Sequence, residues 1–138
     1  MVRVRWPGWG LALTLGLAPP TSAQERPPPM VELRENAPNP FFPSTTIPFV
    51  LHSELCERGH QPLVSLNVYN VLAQVVAVPI LQNSNGERLD ALRLRCGMHE
   101  AFWDGKLLDT NRELTPGIYY AQLVVDGERY TIKMVARR

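Results

Sequence analysis

From Thr45 to the end of the chain, apolar residues recur mainly at every second position, and no segment shows a convincing helical period. That spacing confines the chain to short strands with one buried face. Val64, Leu66 and Val68 alternate with Ser65 and Asn67, so Leu63–Tyr69 reads as a half-buried strand, preceded by another at about Thr46–Leu51. The nearly continuous apolar run Ala73–Ile80 reads as a third, with Pro79 placed where a missing amide donor does no harm. Leu92, Leu94 and Cys96 alternate with two arginines, and Met98–Trp103 follows as a further short strand. Ile118–Val125 and Arg129–Ala136 flank Asp126-Gly127, a dipeptide that readily takes the positive φ angles of a type I′ hairpin turn. Thirteen prolines, mostly clustered, argue against long helices. About seven antiparallel strands joined by turns predict an all-β, immunoglobulin-like sandwich of two packed sheets.

Apolar residues make up 45% of the chain and charged residues 20%, too hydrophobic for intrinsic disorder, and 138 residues are enough for one modest core. The N-terminal segment differs from the rest. Arg3 and Arg5 give a positive start, Trp6 to Ala18 is uncharged and apolar-rich, and Thr21-Ser22-Ala23 supplies small residues before Gln24. This is the pattern of a secretory signal peptide over residues 1–23. As a helix the apolar run would extend about 20 Å, short of the roughly 30 Å of a bilayer's hydrocarbon, so an uncleaved membrane-attached leader is the lesser alternative. Residues 24–43 follow as a Pro-rich lead-in, and residues 44–138 as the domain. The formal charge is +1, and losing Arg3 and Arg5 with the leader would make it slightly negative. No broad positive field then exists for phosphate backbones, so nucleic acid is not an expected partner.

Several strings, in order, resemble a bacterial β-sandwich family. Asn36-Ala37-Pro38-Asn39-Pro40-Phe41, continued by Pro43-Ser44-Thr45-Thr46-Ile47, resembles its "NxPNPFNPxTxI" opening. Val64-Ser65-Leu66-Asn67-Val68-Tyr69-Asn70 is similar to its "VxLxVYD" strand, and His99 through Trp103-Asp104-Gly105 to its "HxVxWDG". Pro116-Gly117-Ile118-Tyr119-Tyr120 and Lys133-Met134-Val135 are similar to its "SGxYx" and closing "KMV". The family comprises the FlgD-like immunoglobulin-like domain of the flagellar hook-capping protein and the C-terminal sorting domains of type IX secretion cargo. The chain departs from it at Phe42, where the family has asparagine, and at Ala73, where it has glycine. The resemblance implies a sandwich fold and a role in assembly or, alternatively, a minimal sorting domain that directs outer-membrane export. Read from the residues alone, Asn36, Pro38, Asn39, Pro40, Phe41, Trp103, Asp104, Gly105 and Gly117 are structural. Asparagine side chains bond nearby backbone, Trp103 is a large core residue with its indole donor satisfied at an edge, and Asp104-Gly105 opens a turn.

Candidate chemistry is sparse. Cys56 and Cys96 are the only cysteines, and in an exported chain a disulfide closing a loop of about 40 residues would contribute roughly 3 to 4 kcal/mol in the loop-entropy model. His60 and His99 follow the two cysteines at short spacing, so a tetrahedral zinc site is a competing arrangement, one that oxidation would abolish. Asp104, Asp109 and Asn111 carry the hard oxygens calcium takes, but Lys106 and Arg112 and the lack of an EF-hand pattern favour a solvated turn. HExxH, GxSxG, a phosphate-cradling glycine loop and CxxCH are all missing from the sequence. The expectation is therefore a protein without cofactor, metal or catalytic residues. Tyr119, Tyr120 and Tyr130 on the terminal hairpin are candidates for a docking surface. Together these features predict an exported, periplasmic or cell-surface interaction module that serves as an accessory or structural subunit of an envelope assembly. Its partners are envelope proteins, with membrane association through a partner or an uncleaved leader.

Overall fold

The computed structural model describes residues 29–108, 110 and 112–138. The leader expected over residues 1–23, and residues 24–28 of the lead-in, lie outside the described residues. Among the described residues, nine strands form two antiparallel sheets packed face to face. In chain order they are β1 Val31–Leu33, β2 Thr45–Leu51, β3 Leu63–Tyr69, β4 Val75–Ala77 and β5 Ile80–Leu81. They continue with β6 Leu92–Arg93, β7 Gly97–Trp103, β8 Gly117–Val125 and β9 Glu128–Ala136. One sheet has the order β1-β2-β7-β5; the other has β4-β3-β8-β9, with β6 also pairing β3. In immunoglobulin lettering these are an ABED sheet facing a C′CFG sheet. The predicted antiparallel sandwich is therefore the fold.

Alternation dictates the core. Ile47, Phe49 and Leu51 from β2, Val64, Leu66 and Val68 from β3, and Ala121, Leu123 and Val125 from β8 are almost completely buried between the sheets. Asp126 and Gly127 have φ of 48° and 88°, the type I′ geometry that lets Val125 pair with Glu128 without splaying the hairpin. Pro48 sits within β2, yet it does not break the sheet. Its carbonyl accepts from Arg34, just beyond the end of β1, so the missing amide faces a position where no ladder partner is required.

Two features add strands to those the alternation displays. The Ala73–Ile80 run is not one strand: β4 pairs β3 in one sheet and β5 pairs β7 in the other, so the chain changes sheets at Val78-Pro79, where proline cannot donate to a ladder. Residues 31–43 do not lie apart from the domain either. Val31–Leu33 pairs with Phe49–Leu51, and Phe41 is buried in the core, so this part of the lead-in lies across its own sandwich. The peptide bonds before Pro38, Pro40 and Pro43 are cis.

Candidate interaction surface

At one end of the sandwich the aromatic side chains interlock. The Trp103 ring centre lies 5.6 Å from that of Phe41 and 5.5 Å from that of Tyr119, in tilted and edge-on arrangements. Each polar tip has a partner. Trp103 Nε1 donates to the Lys106 carbonyl at 3.0 Å, and the Tyr119 hydroxyl donates to the Thr115 carbonyl at 2.7 Å, a tyrosine corner at the start of β8. Asp104 Oδ1 accepts from the Lys106 amide and shapes the turn. Gly105 has φ of 84°, and a Cβ there would overlap the Pro43 carbonyl oxygen, so only glycine fits. Gly117, at the entrance to β8, has φ of 149° with open space around it.

The lead-in asparagines fasten this end. Asn36, 3% exposed, donates to Thr45 Oγ1 at 2.9 Å and to the Pro38 carbonyl at 3.1 Å. Asn39 Oδ1 accepts from the Val135 amide at 3.1 Å, while its Nδ2 donates to Glu35. The Phe41 amide donates to the Val135 carbonyl, and the Phe41 carbonyl accepts from Arg137, so residues 39–41 lie along the C-terminal half of the β9 edge.

At the opposite end Cys56 and Cys96 form a disulfide, with Cα atoms 6.1 Å apart. It ties the 3-10 segment Ser53–Gly59, which contains no fully buried residue, to the start of β7. Both sulfurs are thus occupied by one another, and neither is a thiolate ligand. The two histidines are engaged elsewhere: His60 Nε2 lies 2.8 Å from Asp126 Oδ2, and His99 Nε2 lies 2.7 Å from the Arg95 carbonyl. Asp126 is held below the usual carboxylate range by the amide of Leu63 and then by His60. Among the described residues no group of three or more His, Cys, Asp and Glu side chains is placed to hold a metal ion. Asp109 and Asn111 lie outside the described residues.

The three hairpin tyrosines do not share a face. Tyr119 is 5% exposed inside the aromatic corner, and Tyr130 is half-buried on the core side of β9 opposite Leu123. Only Tyr120 points outward, because adjacent residues of a strand take opposite faces. Its cross-strand neighbour on β3 is Tyr69, which strand alternation also places outside. The two rings belong to a shallow groove of about 400 Å3, bordered by Gln122, Arg129, Thr131 and the β3–β4 turn.

That turn presents apolar side chains on a fixed frame. Asn70 Oδ1 accepts from the Leu72 and Gln74 amides, its Nδ2 donates to Gln74 Oε1, and its backbone bonds both Ala73 and Gln74. Ala73 closes the turn at φ of 62°. Val71 and Leu72 between them are 66% and 73% exposed. Val71 and Leu72 escape a reading based on alternation, because turn residues carry no periodic signal, and the pairing of Tyr69 with Tyr120 depends on the register of β3 against β8. Two consecutive apolar residues directly after Asn70 are the cue that was there to be used. A second, smaller cavity of about 140 Å3 lies at the sheet change, bordered by Pro79, Arg88, Trp103 and Lys106.

No family model matches the chain, and none of the curated proteins is similar to it. Among solved structures it is similar to the Pseudomonas fluorescens alkylpurine DNA glycosylase AlkC bound to DNA containing an abasic site analog, at 15% identity and a TM-score of 0.44. The likeness covers 79% of this chain and 31% of that one, so the chain spans about a third of the protein it matches. Two expectations change. The FlgD-like and sorting-domain resemblance is not supported, since no family model and no curated protein matches the chain, and the motif residues have turn and core roles sufficient to explain them. The expectation of a non-catalytic protein is not carried further either: the neighbour found is an enzyme by its name, at a likeness too low to carry an argument about this chain. At this TM-score the likeness says nothing of what the present chain does.

Proposed function

We propose that the chain is an exported protein-interaction module, an accessory or structural subunit of a periplasmic or cell-envelope assembly. The observation that carries this reading is the outward patch formed by the exposed Tyr120, Val71 and Leu72 beside the half-buried Tyr69, held on a hydrogen-bonded turn. Exposed aromatic and apolar side chains on a rigid frame are what protein interfaces select, because little side-chain freedom is lost on docking. Export is supported by the leader pattern of residues 1–23 and by the disulfide, which persists in oxidising compartments.

The test is a crosslinked pull-down of the tagged protein from native envelope fractions, with the intact mass of the recovered chain. The expected result is one partner in stoichiometric yield, lost in the Val71→Asp/Leu72→Asp variant, and a mass showing leader removal and the loss of two hydrogens at the disulfide. Equal recovery by wild type and variant would reject the patch. Recovery from the cytoplasm with free thiols would reject export.

A further inference from the structure

We infer that the open half of the β9 edge, Arg129–Lys133, binds an extended acidic segment of a protein partner as an additional strand. This rests on the reading of the chain as a protein-interaction module and names the chemistry of one contact. The outward-facing groups of β9 follow from its partners. Val135 donates to Asn39 and accepts from Phe41, on the side away from β8, so alternation turns the N–H and C=O of Arg129, Thr131 and Lys133 the same way. Among the described residues none of these six groups has a backbone partner.

The other sheet edges do not offer this. β1, β4, β5 and β6 have three residues or fewer, and the Val76 carbonyl of β4 already accepts from Leu108. β9 has nine residues, of which residues 39–41 cover only the C-terminal end. A long edge left open is a template for strand addition.

Side chains select the occupant. Arg129, Thr131 and Lys133 are exposed on the outer face, while Tyr130 and Ile132 are half-buried against the core. An antiparallel strand centred on Thr131 would place its own residues four apart opposite Arg129 and Lys133, and its two intervening inward residues beside Tyr130 and Ile132. The complementary segment therefore carries carboxylates four residues apart with apolar residues between them. A second copy of β9 is disfavoured in the same register, since Arg129 would face Lys133 and like charges directly opposite repel.

The probe is a synthetic peptide with glutamates at positions two and six and valines at positions three and five, added to the full mature chain labelled for NMR. Slowed hydrogen exchange at the Arg129, Thr131 and Lys133 amides is expected, with no binding by a peptide carrying lysines in place of the glutamates. Thr131→Pro removes one outward amide and no bond to β8, and should weaken binding roughly tenfold. Arg129→Glu/Lys133→Glu leaves the backbone untouched and should exchange the preference for the lysine peptide. Protection elsewhere or none, undiminished binding by Thr131→Pro, or indifference to peptide charge in both backgrounds would overturn the inference. The envelope pull-down separates the two readings. If wild type and Thr131→Pro recover the same partner equally, strand addition fails and the module reading stands; if the peptide adds at β9 but no envelope partner is recovered, the reverse holds.

Discussion

The two ends of β9 are treated oppositely by the same sheet. Near Val135 the strand's edge is closed by Asn39 and Phe41, and beside it Phe41, Trp103 and Tyr119 interlock with every polar tip bonded. Near Thr131 the outward backbone groups have no backbone partner among the described residues, and the side chains beside them are charged or half-buried. The closed end uses residues whose shape or backbone freedom has no substitute, such as Trp103 and Gly105. The open end uses residues that many others could replace as far as folding is concerned. A sandwich of this size can thus concentrate its stability at one corner and leave a flank available for contact.

The sharpest way to break this comparison is Trp103→Ala. The corner would lose a side chain that is 2% exposed and touches two other aromatics, with an expected cost of about 3–5 kcal/mol, measured by urea unfolding. A cost below about 1 kcal/mol would remove the corner as the seat of stability. Next is the paired Cys56→Ser/Cys96→Ser variant. With a sequence separation of 40 residues it should lose about 3 kcal/mol, seen as a lower urea midpoint with the sandwich's circular dichroism retained at low denaturant.

A smaller effect tests the hairpin turn above the open flank. Asp126 has its pKa lowered on folding, first by the Leu63 amide and then by His60, so the unfolded chain binds its proton first as the pH falls. Stability from this group is fully present above the ordinary aspartate value and is lost as the pH drops below about 4 toward the lower folded pKa. Acid titration of Asp126→Asn should show a shallower loss over that window than wild type. Identical slopes would show that the contact does nothing for the fold. The smallest effect belongs to the open edge: Lys133→Ala should change stability by less than about 0.5 kcal/mol. A larger loss would mean that the edge is part of the fold's support and not a free surface.

How much of this was legible beforehand depends on the kind of signal. β2, β3, β8 and β9 were readable within a residue or so, because burial on one face forces alternation and Asp126-Gly127 fixes the hairpin register. β1 was not, since Val31-Glu32-Leu33 is too short to show a period and is recognisable only by its pairing with β2. The Ala73–Ile80 run concealed a change of sheet, because a continuous apolar run carries no mark of which sheet each of its halves pairs with. The hairpin tyrosines were grouped by sequence proximity, whereas Tyr119 and Tyr120, being adjacent, had to take opposite faces. The true outward partner, Tyr69, lies on another strand, where only register could locate it.

The disulfide has a further consequence, for proteolysis. The Ser53–Gly59 segment contains no fully buried residue, and Arg58 within it is exposed with φ of 58°. With the bridge to Cys96 intact, both ends of that loop are held and the chain there cannot easily adopt the extended form a protease requires. Once reduced, the loop can open while the two sheets remain paired, so trypsin would cut after Arg58 well before the sandwich unfolds. Limited digestion of the protein with and without reductant would then convert a redox state into a pair of fragments.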